Sequence, residues 1–400
     1  MRLIHTSDWH FGQTLRGNSR NAEQEYFITQ LITYIKEYKP DALLVSGDLY
    51  DSSTSTAETD NFFRIQILRI HQAAPDMHII MIAGNHDGYA KQEADAKLWE
   101  LGNITVVGHI ATRDGQVDYD RHIINLENKG FILPVPFTRF YPTMPQDDAL
   151  NLRKSYFYDR LLKRVATLNT GNLPVIMMGH LNYEGAEIAE QESLVRGGED
   201  PTTAKELGTG YDYLALGHIH YPQTHNRARY SGSPIAINFS EGYEHSVTLV
   251  EINRHGEMPQ LTELPVKQLF GMKKFVQQPE LTLTEFLKDI ENHIGNTPNY
   301  LRLALIQDEE PFTTKEQIIN SFVEQNDKWI YCGYDTIQSA TATKSESTVL
   351  TPQQLENNDP IDLAKQYYKE KNGSDMSEAL QQLLQQAIDN YQQIQETTEQ

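Results

Sequence analysis

Short apolar runs alternate with amphipathic stretches through the first third of the chain. LIHTS (3–7) reads as a strand, residues 21–38 as an amphipathic helix, DALLVSG (41–47) as a strand, residues 57–72 as a helix and HIIMIAG (78–84) as a strand. Successive β-α-β connections build a parallel sheet. The polar clusters that end these strands, SDWH, GDLYD and GNHD, are therefore expected side by side at its carboxyl edge, where open α/β sheets place their sites. A hairpin-like stretch (121–134) and a helix (about 147–167) follow. The same grammar then returns, because LPVIMMGHL (173–181) and YDYLALGHIH (211–220) are apolar runs that each reach a Gly-His pair. RARYSGSPI (227–235) and HSVTLVEI (245–252) read as antiparallel strands closing a second sheet. The expected fold over residues 1–264 is α/β, a two-layer β sandwich flanked by helices.

From residue 265 to 335 the order changes to FGMKKFV, a helix at LTEFLKDIENH, the strand NYLRLALI, a helix at TTKEQIINSFVEQN and the strand KWIYCGY. That β-α-β-α-β order predicts a small α+β domain added over one end of the first. Residues 336–358 are polar and poor in aromatics, a linker composition. The tail, 359–400, carries two helical patterns, 361–371 and 375–397. In the second, Leu380, Leu384, Ala387, Tyr391 and Ile394 form a narrow apolar seam among glutamines. Such a seam needs a surface to cover it, on a partner or on its own domain.

Composition narrows the picture. With 39 % hydrophobic and 22 % charged residues in 400, and without a run of about 18 apolar residues or a signal-like N-terminus, a cytoplasmic protein that does not enter membranes is expected. Cys332 is the single cysteine, which excludes an internal disulfide and a cysteine-based zinc site; it reads as a buried thiol. A net charge of −21 argues against a protein that grips nucleic-acid phosphates unaided. Bound cations or a basic partner could offset that charge.

The chemistry sits in five clusters, D8-W-H10, G47-D48-L-Y-D51, G84-N85-H86-D87, G179-H180 and G217-H218-I-H220. All follow an apolar strand and offer only Asp, Asn and His as ligands. In the D-x-H and H-x-H pairs, positions i and i+2 of an extended segment project to one side, so both members can face one site. Taken alone, H-x-H fits metal ligands, an acid/base pair or loop histidines; the five clusters together indicate a metal centre. Hard carboxylates, an amide oxygen and four imidazoles suit a pair of divalent ions of the manganese, iron or zinc type. Two such ions clamp the attacking and leaving oxygens in phosphate-ester hydrolysis. His86 adjoins Asn85 on a loop, so both cannot readily face one ion, and it reads as a proton donor to the leaving oxygen. Asp51 and Asp87 read as groups that orient ligands or loop, and His5 as a core or supporting histidine.

The order DxH, GDxxD, GNHD, GH, GHxH resembles the calcineurin-like metallophosphoesterase superfamily. HTSDWHFGQ, GDLYD and the SGSP at 231–234 resemble more closely the SbcD family of DNA-repair exonucleases. The motifs cover residues 1 to about 240; the likeness of the added domain and tail is one of architecture. The resemblance implies that Asp8, His10, Asp48 and His220 bind one ion and that Asp48, Asn85, His180 and His218 bind the other, with Asp48 bridging. It implies that His86 is the catalytic residue that is not a ligand. It further implies two Mn2+ ions, a DNA substrate, a capping domain that positions DNA, and a tail docked on SbcC, an SMC-like ATPase. The nuclease would be a homodimer within a heterotetramer. Its activities would be ATP-dependent 3′ to 5′ double-strand exonuclease and single-strand or hairpin endonuclease, in repair, recombination and replication.

Two other classes stay open. A phosphatase or phosphodiesterase for small molecules or proteins would share the centre, although the protein-phosphatase patterns GDxVDRG and GNHE are replaced here by GDLYDSS and GNHD. A non-catalytic binding module would be expected to have lost ligands, and the set is complete. Arg16, Arg20, Arg227 and Arg229 flank the clusters and are candidates for phosphate contact or plain surface arginines. Trp9 and Tyr50 read as packing beside the ligands rather than as stacking platforms.

Overall fold

The computed structural model describes residues 1–88, 93–94, 96–142, 150–187, 201–293, 295, 297–307 and 311–337, and in the tail 365, 368, 376–377, 380–381 and 384. The chain divides into two units, 1–337 and 338–400. In the second, Leu380, Gln381 and Leu384 are helical, and the Gln381 side-chain amide donates to the Met376 carbonyl at 2.7 Å. The linker from 338 to 358 and the seam positions Ala387, Tyr391 and Ile394 lie outside the described residues.

The first unit opens with β1 (Arg2–Thr6), α1 (Asn21–Tyr38), β2 (Ala42–Ser46), α2 (Ala57–Ala73), β3 (His78–Ile82) and β4 (Ile104–Val107), whose strands pair in parallel. Helix α1 forms because Phe27, Ile28, Leu31 and Ile35 recur at helical spacing and are buried. It stops where Lys39 turns left-handed at φ 47° and its N–H closes on Ile35 O. Next come the antiparallel hairpin β5 (Ile124–Leu126) and β6 (Gly130–Pro134), then α3 (Leu150–Leu168), β7 (Val175–His180) and β8 (Tyr213–Gly217), with β6, β7 and β8 parallel.

After β8 the expectation of two antiparallel strands closing the second sheet fails. A short β9 (Gln223–His225) precedes β10 (Ala228–Tyr230), which runs parallel to β8, whereas β11 (Ser246–Glu251) crosses to the first sheet and pairs antiparallel with β1. β12 (Gln260–Pro265) adds outside it. The cause is the open edge of β1, which has β2 on one side only and would otherwise leave its other row of backbone groups unpaired. β11 fills that edge and buries Val247 and Leu249 on one face and Val250 on the other.

Two six-stranded sheets result, ordered β12-β11-β1-β2-β3-β4 and β9-β10-β8-β7-β6-β5. Both faces of the central strands are covered, so they alternate between two cores instead of between core and water. Leu43 and Val45, Ile79 and Met81 face α1 and α2; Leu44, Ile80 and Ile82 face the other sheet, where Ile132, Ile176, Met178, Tyr213 and Ala215 meet them. The third core, under α3, takes Val175, Met177, Leu214 and Leu216. This is the sandwich flanked by helices that the pattern predicts.

The remainder of the first unit is β13 (Gly271–Val276), α4 (Leu283–Glu291), β14 (Asn299–Ile306), α5 (Phe312–Glu324) and β15 (Trp329–Ile337), a three-stranded parallel sheet with β14 central. Thr282 and Glu285 form a capping box at α4. Leu287, Ile290, Leu301, Leu303, Ile319 and Trp329 are among the side chains of a separate core. Strand β15 runs two residues past the expected limit at 335, and Cys332 is buried within it.

Candidate metal centre

The carboxyl ends of β1, β2, β3, β7 and β8 deliver the five clusters to one edge of the sandwich. The backbone there is not extended, contrary to the i and i+2 expectation. Asp8 (φ 54°), His10 (47°), Asp48 (50°) and His218 (101°) all lie at positive φ, just beyond the strand ends. Non-glycine residues rarely adopt this region, and surrounding contacts hold them there. Asp8 N–H donates to Gly47 O at 3.0 Å, His10 N–H to Asp48 O at 3.0 Å, and His218 N–H to Asp8 Oδ1 at 3.1 Å. The flanking glycines let the strand ends approach. A Cβ on Gly217 would stand 2.0 Å from Ser46 O, and one on Gly84 2.1 Å from Asp48 Oδ1. Gly217→Ala should therefore cost about 1–3 kcal/mol of overpacking and weaken divalent-metal binding, read from the denaturant midpoint and a metal titration.

Asp8, His10 and His220 bring one ligand atom each to within 4.8 Å of one another, and so do Asp8, Asp48 and His180. One oxygen of Asp48, Oδ2, lies 3.3 Å from His180 Nε2 and 3.8 Å from His10 Nε2, between the two groups. Asn85 Oδ1 lies 3.0 Å from both His180 Nε2 and His218 Nδ1. The seven residues expected as ligands thus lie together, with one Asp48 oxygen between His180 and His10.

The chemistry of the donors fits divalent ions. Among the described residues, neither ring nitrogen of His10 has a hydrogen-bond partner although the residue is buried, an arrangement that costs free energy unless a ligand is received. His180 Nδ1 donates to Ser46 O at 2.9 Å and so leaves Nε2 for the site. Burial lowers the pKa of His180, but the Asp48 carboxylate overrides it and raises it to about 9. Burial pushes the Asp48 carboxyl up, and His180, His10 and His86 outweigh that and carry it well below the usual carboxylate range. A buried anion flanked by imidazoles is the electrostatic counterpart of a cation site.

His86 stands differently. Its backbone N–H donates to Asp48 Oδ1 at 2.9 Å, and its Nδ1 donates to the Asp51 carbonyl at 2.8 Å, which leaves Nε2 as the reactive nitrogen. Its ring centroid is 5.1 Å from that of His10. Asp87 accepts the N–H groups of Gly84, Leu49 and Tyr50 at 2.8, 3.1 and 3.0 Å and ties the third cluster to the second. Burial and the neighbouring Asp48 charge raise its pKa. Asp51 Oδ1 is 3.5 Å from His10 Nδ1. His5 is fully buried, its Nδ1 2.8 Å from Tyr213 Oη, and burial lowers its pKa to about 3.

Three of the four arginine candidates are engaged internally. Arg20 is buried against Glu23; Arg229 is buried with Thr248, Thr224 and Glu263; Arg227 donates to the carbonyls of Asp212, Gly256 and Glu257. Arg16 alone is exposed, at the tip of a two-stranded ribbon (Thr14–Leu15 with Asn18–Ser19). Trp9 and Tyr50 are buried, Trp9 donating to Thr6 Oγ1 at 3.0 Å. The motifs do not reveal Glu241. Its Oε1 lies 3.2 Å from His220 Nδ1, and its Oε2 accepts the Ile237 N–H at 2.9 Å and the Ser233 hydroxyl at 3.3 Å. Burial raises its pKa, but the bond and charge of His220 leave it lowered overall.

Residues 1–222 match the calcineurin-like phosphoesterase family. The chain is 33 % identical over 311 residues to the SbcD nuclease subunit of the Rhodobacter capsulatus SbcCD complex, covering 73 % of this chain and 75 % of that one. It is 30 % identical over 270 residues to the Bacillus subtilis SbcD subunit, covering 63 % and 66 %. With SbcD of Escherichia coli K12 the identity is 27 % over 368 residues, 80 % and 88 % of the two chains. A match over more than half the chain, together with relatives of one kind aligned along most of it, means that this protein is a metal-dependent hydrolase of the calcineurin-like phosphoesterase family and, within it, of the SbcD family.

Proposed function

We propose that the protein is the nuclease subunit of an SbcCD-type complex, hydrolysing DNA phosphodiesters at two divalent ions, with Mn2+ the working metal. The observation that carries this reading is the placement of Asp48 Oδ2 between His10 and His180, with Asn85 shared by His180 and His218. Asp8, His10, Asp48 and His220 would hold one ion, and Asp48, Asn85, His180 and His218 the other. Bound there, such ions supply Lewis acidity toward the phosphoryl oxygens and make water acidic enough to act as a nucleophile near neutral pH. The chain's own contribution is to hold the imidazoles in the right tautomer, through Ser46 O and Glu241, and to present His86 Nε2, in the imidazolium form, as proton donor.

The finer reading follows the relatives named as nuclease subunits of SbcCD. It comprises 3′ to 5′ exonuclease action on duplex ends, endonuclease action on single strands and hairpins, and ATP use by an SbcC-type partner. It also comprises a homodimer of the nuclease in a cytoplasmic complex, acting in repair, recombination and replication. Residues 265–335 would form the capping domain. The tail, 359–400, would carry the partner-binding seam. No described helix is long and apolar enough to cross a membrane. The net charge of −21 makes a partner-supplied positive field part of the proposal.

The test compares Mn2+-dependent degradation of linear duplex DNA with hydrolysis of a phosphate monoester, with and without the partner. Preferential monoester turnover in both conditions would move the function to a phosphatase. Deleting 359–400 should leave simple phosphodiester hydrolysis within about twofold and abolish co-purification with the SbcC-type subunit. Retained co-purification would place the contact elsewhere.

A further inference from the structure

The loop that follows the first cluster is where the small subdomain, 271–337, meets the larger body. Asn18 Nδ2 donates to Tyr331 O at 3.5 Å, and Cys332 Sγ lies 4.0 Å from Leu15 O. At the centre of this junction are three buried polar side chains. Tyr300, on β14, donates its hydroxyl to Glu23 Oε2 at 2.6 Å, and Glu23 is paired in turn with Arg20 through Nε at 2.9 Å and through Nη2. All three are at most 2 % exposed, so the pair exists only because its remaining donors and acceptors are satisfied.

Those remaining bonds lead to the candidate ligands. Arg20 Nη1 donates to Gln13 Oε1 at 2.8 Å and to the Ala236 carbonyl. The His10 carbonyl accepts both the Gln13 N–H at 3.1 Å and the side-chain amide of Gln24, the residue after Glu23, at 2.7 Å. On the other side, Ile237, next to Ala236, receives the Gln13 amide on its carbonyl at 3.4 Å and gives its N–H to Glu241, which holds His220. Both imidazoles of the Asp8–His10–His220 group are therefore tied to the Arg20–Glu23 pair. His180 is anchored independently, on Ser46 O of β2.

We propose that Tyr300 is a positioning residue through which the 271–337 subdomain sets the affinity of one ion position, that of Asp8, His10 and His220. A shift in the seating of β14 withdraws the hydroxyl from Glu23, loosens Arg20, and releases the backbone of His10 and the Ala236–Glu241 turn together. Tyr300 thereby governs metal loading without itself touching metal or substrate. This inference rests on the two-ion reading above.

Titration of the full-length chain with Mn2+, by calorimetry and electron paramagnetic resonance, tests it. Tyr300→Phe should lower the affinity of one ion about tenfold and leave the other within twofold. The exchange-coupled signal should be replaced by that of an isolated Mn2+ at limiting metal, and kcat should recover at saturating Mn2+ while the metal concentration for half-activity rises. Glu23→Gln provides a second, independent break and should shift the same ion. Tyr331→Phe removes a hydroxyl contact to Glu316 inside the subdomain, 3.2 Å long, and should shift neither. Unchanged binding in Tyr300→Phe, or equal weakening of both ions, overturns the proposal. A wild-type chain that binds a single Mn2+ instead defeats the two-ion reading itself, and this inference with it.

Discussion

Asp48→Ala is expected to empty both ion positions and to reduce phosphodiester hydrolysis by about 10³-fold or more, the rate equivalent of the several kcal/mol that metal charge contributes to such a transition state. The argument is local. Asp48 is buried; its Oδ2 lies between His180 Nε2 at 3.3 Å and His10 Nε2 at 3.8 Å, and its Oδ1 receives the His86 N–H at 2.9 Å. Alanine removes the shared anion from a pocket that otherwise presents several imidazoles to one another. It also frees the backbone that fixes His86. His220→Ala is the contrasting case, because His220 belongs to the Asp8–His10 group alone and should weaken mainly one ion. Metal content after dialysis against Mn2+, with circular dichroism to show retained fold, measures both variants. An Asp48→Ala protein that keeps one ion at the wild-type affinity would remove Asp48 from the bridging position.

Much of this centre is readable in the sequence, for a specific reason. Parallel strands buried on both faces are written as continuous apolar runs, such as HIIMI and LALG, so the first polar residues after them mark the carboxyl edge without ambiguity. What periodicity cannot reveal is which edge a strand will join. β11 carries the same alternation in either sheet, and the free side of β1, a property of the assembled sheet, makes the choice. Glu241 is hidden for a similar reason. It lies 21 residues from His220, and its role is created by a turn that folds the Ala236–Glu241 segment under the imidazole. Arg20 and Arg229 show the reverse, since position near a motif suggests phosphate contact or a solvated surface, whereas Glu23 and the Ala236 carbonyl occupy Arg20, and Glu263, Thr224 and Thr248 occupy Arg229. The positive φ of Asp8, His10, Asp48 and His218 is equally invisible, because only glycine advertises that conformation in a sequence.

His86→Ala separates metal binding from proton transfer, and the expected result is two ions bound within about threefold of wild type with hydrolysis of DNA lowered by about 10²- to 10⁴-fold. The alanine keeps the backbone N–H that serves Asp48 Oδ1, so the bridging carboxylate stays in place. What is lost is an imidazole whose Nδ1 is committed to the Asp51 carbonyl, so that only Nε2 of the imidazolium form can give a proton to the leaving oxygen. The ring is half-buried beside His10. The leaving group provides the discriminating measurement. A sugar alkoxide departs slowly without a proton, whereas a nitrophenolate departs as the anion. A proton donor therefore predicts a large defect on DNA and a much smaller one, about tenfold or less, on a nitrophenyl phosphodiester. Equal defects on both substrates would mean that His86 stabilises charge on the phosphoryl group instead. Loss of either ion would show that the ring holds the centre together, and its assignment as the acid would fall.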